Sequence, residues 1–110
     1  MFSLENKVEK RQYARLSLNE IPEVLRKPIL LNNFEEVKSQ IENLSPIGIA
    51  LTVDKGIIIN EGDIFHIKYY VIDSYIKCLC VFSDEFEDYR LIHSYFAEVE
   101  DTKAIMKYLE

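Results

Sequence analysis

In 110 residues the sequence has no tryptophan, three glycines, three prolines and two cysteines. So little glycine and proline excludes a collagen-like or low-complexity chain. Two cysteines cannot build a disulfide framework. Cys78 and Cys80 share one face if the segment is a strand, and a bond between them would be strained. Without further cysteines or a histidine cluster they are a poor zinc signal, so both are read as reduced thiols. No apolar run approaches the roughly 20 residues of a membrane span. The opening MFSLENKVEK lacks the apolar stretch of a signal peptide, which points to the cytoplasm. Basic charge is also short, with 13 Lys and Arg against 19 Asp and Glu and a net charge of -6. Such a chain repels a phosphate backbone, which argues against a general nucleic-acid binder.

Catalytic patterns are missing as well. There is no G-x-S-x-G, no P-loop and no H-E-x-x-H. His66 and His93 sit in or near the ends of strand-like runs, without the oriented partner that a base needs. The acidic run Asp84, Glu85, Glu87 and Asp88 lacks the alternating ligands and central glycine of a calcium loop. The expectation is a binding protein, with no catalytic residues, metal or cofactor.

Hydrophobic residues make up 48% of the chain and are spread along its length, enough for one small core. Tyr13 to Leu18 partly alternates as a first strand. Pro22, Pro28 and Asn32-Asn33 punctuate the next stretch. Residues 34–44 are ambiguous. Phe34, Val37, Ile41 and Leu44 fall at helical spacing, yet Val37, Ser39, Ile41 and Asn43 also mark one strand face. Ile47, Ile49, Leu51 and Val53 alternate with small or polar residues and predict a strand. Ile64 to Ile72, Tyr75 to Phe82 and Tyr89 to Val99 predict three more, the last two joined by an acidic hairpin loop. Asp101 is placed as the cap of a short helix reaching Leu109, with Ile105, Met106 and Leu109 as its apolar stripe. Short strands with tight turns suggest a small antiparallel barrel.

The charge is uneven. Residues 1–15 carry Lys7, Lys10, Arg11 and Arg15 against Glu5 and Glu9. This makes a basic arm on an acidic body, with two arginines four apart. Arginine binds phosphate bidentately and stacks on bases. A second motif, Asn43-Leu44-Ser45-Pro46-Ile47-Gly48, puts an amide, a hydroxyl and a glycine at a turn between strands. Alone it is a plain β-turn. In a barrel the two motifs can meet at one rim.

R-x-x-x-R followed by D/N-x-S-x-x-G resembles the PilZ domain, a family of bacterial receptors for cyclic di-GMP. The resemblance runs from Lys10 to Leu109 and includes a final strand ending His93-Ser94-Tyr95-Phe96. It implies a mainly β fold, a small six-stranded antiparallel split barrel with a C-terminal helix. It implies a basic arm over residues 1–15 and a barrel domain over 10–110. It also favours a strand over a helix for residues 34–44. Carried over by position, Lys10, Arg11 and Arg15 grip the phosphates and guanines, and Asn43, Ser45 and Gly48 recognise guanine and sugar. The resemblance then implies a cytoplasmic, non-enzymatic receptor that orders its arm on ligand and signals through a protein partner, as a monomer or weak dimer. The alternative is a nucleotide-independent adaptor of the same fold. A barrel for single-stranded nucleic acid would need aromatics amid basic strands, whereas the tyrosines here lie mostly amid acidic residues. Two departures stand out. Leu18 to Phe34 is longer than the family's usual first hairpin, and His93 occupies a position where the family often has glycine.

Overall fold

A computed structural model of the chain describes residues 14–109. It is a mainly β protein with one C-terminal helix. The strands are β1 (Leu16–Ser17), β2 (Ile29–Asn32), β3 (Glu35–Val37), β4 (Ser39–Ser45), β5 (Gly48–Asp54), β6 (Ile64–Lys68), β7 (Ile76–Glu85) and β8 (Tyr89–Phe96), followed by α1 (Val99–Leu109). All pairings are antiparallel, in the order β1-β4-β5-β8-β7-β6-β2-β3.

Connectivity shows how the sheet must bend. β3 lies at one end of that order and β4 near the other, yet only Lys38 separates them along the chain. The sheet therefore curls round into a barrel-like shell. The expected count of six strands is not met, because the described residues form eight. Two features raise the number. The break at Lys38 divides one extended run into β3 and β4, and the two-residue β1 is added beside β4.

Period-2 alternation turns one face of each strand inward. Ile49, Leu51 and Val53 of β5, Phe65 and Ile67 of β6, and Ile76, Cys78 and Cys80 of β7 join one buried cluster. Both cysteines are buried and free. Burial pushes the Cys78 thiol up to about 12, so it stays protonated and unreactive. The long first connection is built rather than loose. It forms two 3₁₀ turns, Leu18–Glu20 and Glu23–Leu25, and sinks Ile21 and Leu25 completely into the core. The buried Tyr69 hydroxyl donates to the Leu25 carbonyl at 2.8 Å and holds this plug in place.

Several expected boundaries shift. β6 ends at Lys68 rather than running to Ile72, and β7 continues to Glu85 through half of the expected loop. β8 stops at Phe96, because the chain turns into α1 at Val99. Asp101 does not cap that helix. It lies in the first turn, buried, and its carboxylate accepts the Lys77 backbone N–H at 3.1 Å. The docked face of α1 is Ala104, Ile105, Tyr108 and Leu109; Met106 is outside that packed set. No helix among the described residues is long and apolar enough to cross a membrane.

Candidate functional site

The register of the shell decides which side chains meet on its outer face. Paired residues share a face, so the pairings can be followed across strands. One row runs Ser45, Gly48, Tyr95, Leu79, Ile64. The next runs Ser17, Asn43, Ala50, His93, Phe82. Between them an inward row carries Leu16, Leu44, Ile49, Ser94 and Cys80. Asn43, Ser45, Gly48 and His93 thus belong to two adjacent outward rows. Arg15 sits one residue before β1, at the end of the first of them.

A β-bulge makes this possible. Ile41 faces Leu51 and Asn43 faces Ala50, leaving Glu42 without a partner. Were Glu42 paired in a regular ladder, strict alternation would point Asn43 inward with Ile41. With the bulge, Ile41 and Leu44 both point inward and Asn43 turns out. A second irregularity lies across the sheet, where Cys80 faces Ser94 and Phe82 faces His93, leaving Val81 over. Bulges often re-aim side chains beside binding sites.

The two bulged strands flank a cleft of about 160 Å³ lined by Arg15, Asn43, Ser45, Ile47, Ile49, Val81, His93, Ser94 and Tyr95. Three of the six carried-over residues therefore converge. Lys10 and Arg11 lie outside the described residues. Gly48 is nearby in the register but does not open onto the cleft. It is buried against β8, and a Cβ there would overlap the Ser94 carbonyl. Here the glycine lets two strands approach each other.

Each remaining group has a defined state. The Ser45 hydroxyl oxygen accepts the Ile47 N–H at 3.3 Å, which closes the turn and leaves its O–H free to donate. The ion pairs of the described residues, Arg90–Glu85 and Lys103–Glu100, do not involve Arg15. His93 is half-buried and meets Phe82 edge to face at 5.4 Å. Its pKa is lowered from the usual 6.5, first by desolvation and then by the Arg15 charge, with Glu42 opposing. The cleft thus presents one fixed cation, a neutral imidazole, an amide and a hydroxyl. Beside it, Tyr95 and Phe82 are 51% and 43% exposed. These two rings were not singled out from the sequence, although outward alternation with His93 along β8 marks Tyr95. The described residues contain no group of three or more His, Cys, Asp or Glu placed to hold a metal ion.

Wider hollows occur elsewhere, but size does not decide the site. A volume of 160 Å³ holds roughly five waters. It suits a phosphate or a base edge, with the rest of a larger ligand lying over the exposed rings. No protein-family model, curated protein or solved structure matches this chain.

Proposed function

We propose that the chain is a receptor for cyclic di-GMP. The observation that carries this reading is the convergence of Arg15, Asn43, Ser45 and His93 in one outer-face cleft, from segments far apart in sequence. The Arg15 fork suits a phosphate. The Asn43 amide and Ser45 hydroxyl suit the donor and acceptor edge of a guanine. Tyr95 and Phe82 offer faces on which a purine can stack. In this reading the ligand draws Lys10 and Arg11 onto the remaining phosphate oxygens. The arm and ligand together then form a new surface for a protein partner. No step makes or breaks a covalent bond, so the receptor is not an enzyme.

Calorimetric titration with cyclic di-GMP tests it, with GTP and cyclic di-AMP as controls. Saturable heat from cyclic di-GMP alone is expected. Arg15→Ala removes a charge-assisted contact worth about 1.5–3 kcal/mol and should weaken binding at least about tenfold. Arg11→Ala should do the same. Absence of binding by a folded sample overturns the receptor reading.

A second reading has its own support. Ile64, Leu79, Tyr95 and Phe82 leave an exposed apolar strip across β6, β7 and β8. Such a strip suits a protein partner without any nucleotide. In that case Arg15→Ala leaves partner binding intact and Tyr95→Ser abolishes it.

A further inference from the structure

A wider hollow of about 560 Å³ lies between the plug and β4. Leu18, Asn19, Arg26 and Lys27 form one wall, and Ser39, Gln40 and Ile41 the other. Its volume is within the range of small-molecule sites. Its charge runs against that of the acidic body. Among the described residues two cations and no carboxylate line it, although acidic residues outnumber basic ones 19 to 13 overall. The neighbouring Glu20 is turned onto Ser17, accepting from its backbone N–H at 2.8 Å and its hydroxyl at 3.0 Å.

The arginine of that wall is also held in place. Arg26 Nε donates to the Ile21 carbonyl at 2.8 Å, and one terminal nitrogen lies 3.5 Å from the Asn19 carbonyl. The other terminal nitrogen donates to no partner among the described residues. Opposite it, β1 pairs only with Asn43 and Leu44. On that side the edge of β4 from Ser39 to Ile41 has no strand partner among the described residues, so it offers backbone groups as well. Exposed Leu18 and the side of Ile41 add apolar surface.

We propose that this hollow binds a small organic anion, a phosphate monoester or carboxylate carrying an apolar body. Arg26 and Lys27 meet the charge. Asn19, Ser39 and Gln40 supply hydrogen bonds, and Leu18 and Ile41 contact the apolar part. The proposal is independent of what the Arg15 cleft takes.

Amide-resolved NMR on the full chain tests it, with phenyl phosphate, hexanoate and inorganic phosphate as probes. Saturable shifts at Asn19, Lys27 and Gln40 are expected from phenyl phosphate or hexanoate at millimolar concentrations, with inorganic phosphate weaker. The tighter of the first two assigns the head group. Lys27→Glu should weaken binding about fivefold or more, and so should Gln40→Glu, which leaves the bonds of Arg26 untouched. The spectrum itself reports whether each variant is folded. The proposal is overturned by no saturable shift up to about 10 mM of any probe. It is equally overturned by shifts confined to the Arg15 cleft, or by affinity unchanged in both variants.

Discussion

Gly48→Ala separates two meanings of a motif glycine. If the residue exists to admit a ligand, an added methyl lowers affinity and leaves the fold alone. The structure gives the opposite expectation. Gly48 pairs with Tyr95 across β5 and β8, and a Cβ would overlap the carbonyl oxygen of Ser94. That obstacle is backbone, locked between β5 and β7, so no flexible side-chain end can swing away. The backbone of Gly48 is not left-handed, so alanine meets no conformational penalty beyond the overlap. Overpacking of this kind costs about 1–3 kcal/mol, and a rigid backbone obstacle belongs at the upper end. With a urea slope of about 1–1.5 kcal/mol/M for a chain this size, the unfolding midpoint should fall by about 2 M. The thermal midpoint should fall by about 10 °C or more. Circular dichroism through a urea series measures the first, and a thermal scan the second. An unchanged midpoint, with or without a change in cyclic di-GMP affinity, would refute the packing argument.

Two further outcomes rest on the same geometry. His93 holds fewer protons in the folded chain than in the unfolded one, because its folded pKa is lowered from 6.5. Its contribution to stability is therefore full above that pH and declines as acid protonates the unfolded state first. His93→Gln should flatten the urea midpoint between about pH 5 and 7 relative to the parent, and superimposable profiles would refute it. Asn33 and Phe34 form the two-residue turn between β2 and β3 with φ of 55° and 62°, where a second-position glycine is normally preferred. Phe34 is compensated by stacking on His66 at a centroid distance of 4.6 Å. Phe34→Ala keeps the strain and loses the stack, so it should destabilise by about 1–2 kcal/mol. Phe34→Gly releases the strain and should lie about 1 kcal/mol above alanine in a urea series. Glycine falling below alanine would show that the turn is not strained.

Much of the strand content was legible because period-2 alternation survives wherever the ladder is regular. Ile47 to Val53 reads as a strand, and β5 is there. The pattern failed where alternation was no longer local. At Lys38 an edge strand runs on into the other side of the shell, and no property of Lys38 itself announces that bend. The plug was visible only as an over-long connection. Ile21 and Leu25 lie among prolines and charges, and what receives them is distant in sequence: Tyr69, more than forty residues from Leu25, holds its carbonyl. The helix start is displaced for a similar reason. Asp101 looks like a cap locally, but its carboxylate is engaged by a backbone N–H of β7.

The bulges explain why the site was half legible. Val37, Ile41 and Leu44 suggested a helix because inward residues spaced four and then three apart imitate a 3.6-residue period. The same spacing arises in a strand with a break at Lys38 and an extra residue at Glu42. What resembled a competing secondary structure was the mark of the irregularity that turns Asn43 outward. Val81 does the corresponding service in β7, bringing Phe82 opposite His93. Deleting Glu42 should therefore spare the site. Leu51 and Ala50, the partners of Ile41 and Asn43, are adjacent, so the shortened strand pairs regularly and keeps Ile41 and Leu44 inward and Asn43 outward. The deletion removes an exposed side chain and a local bend rather than core contacts, and should stay within about 1 kcal/mol of the parent. Glu42→Ala keeps the extra residue and should stay within about 0.5 kcal/mol. A deletion that unfolds several kcal/mol below the alanine variant in urea would refute this register.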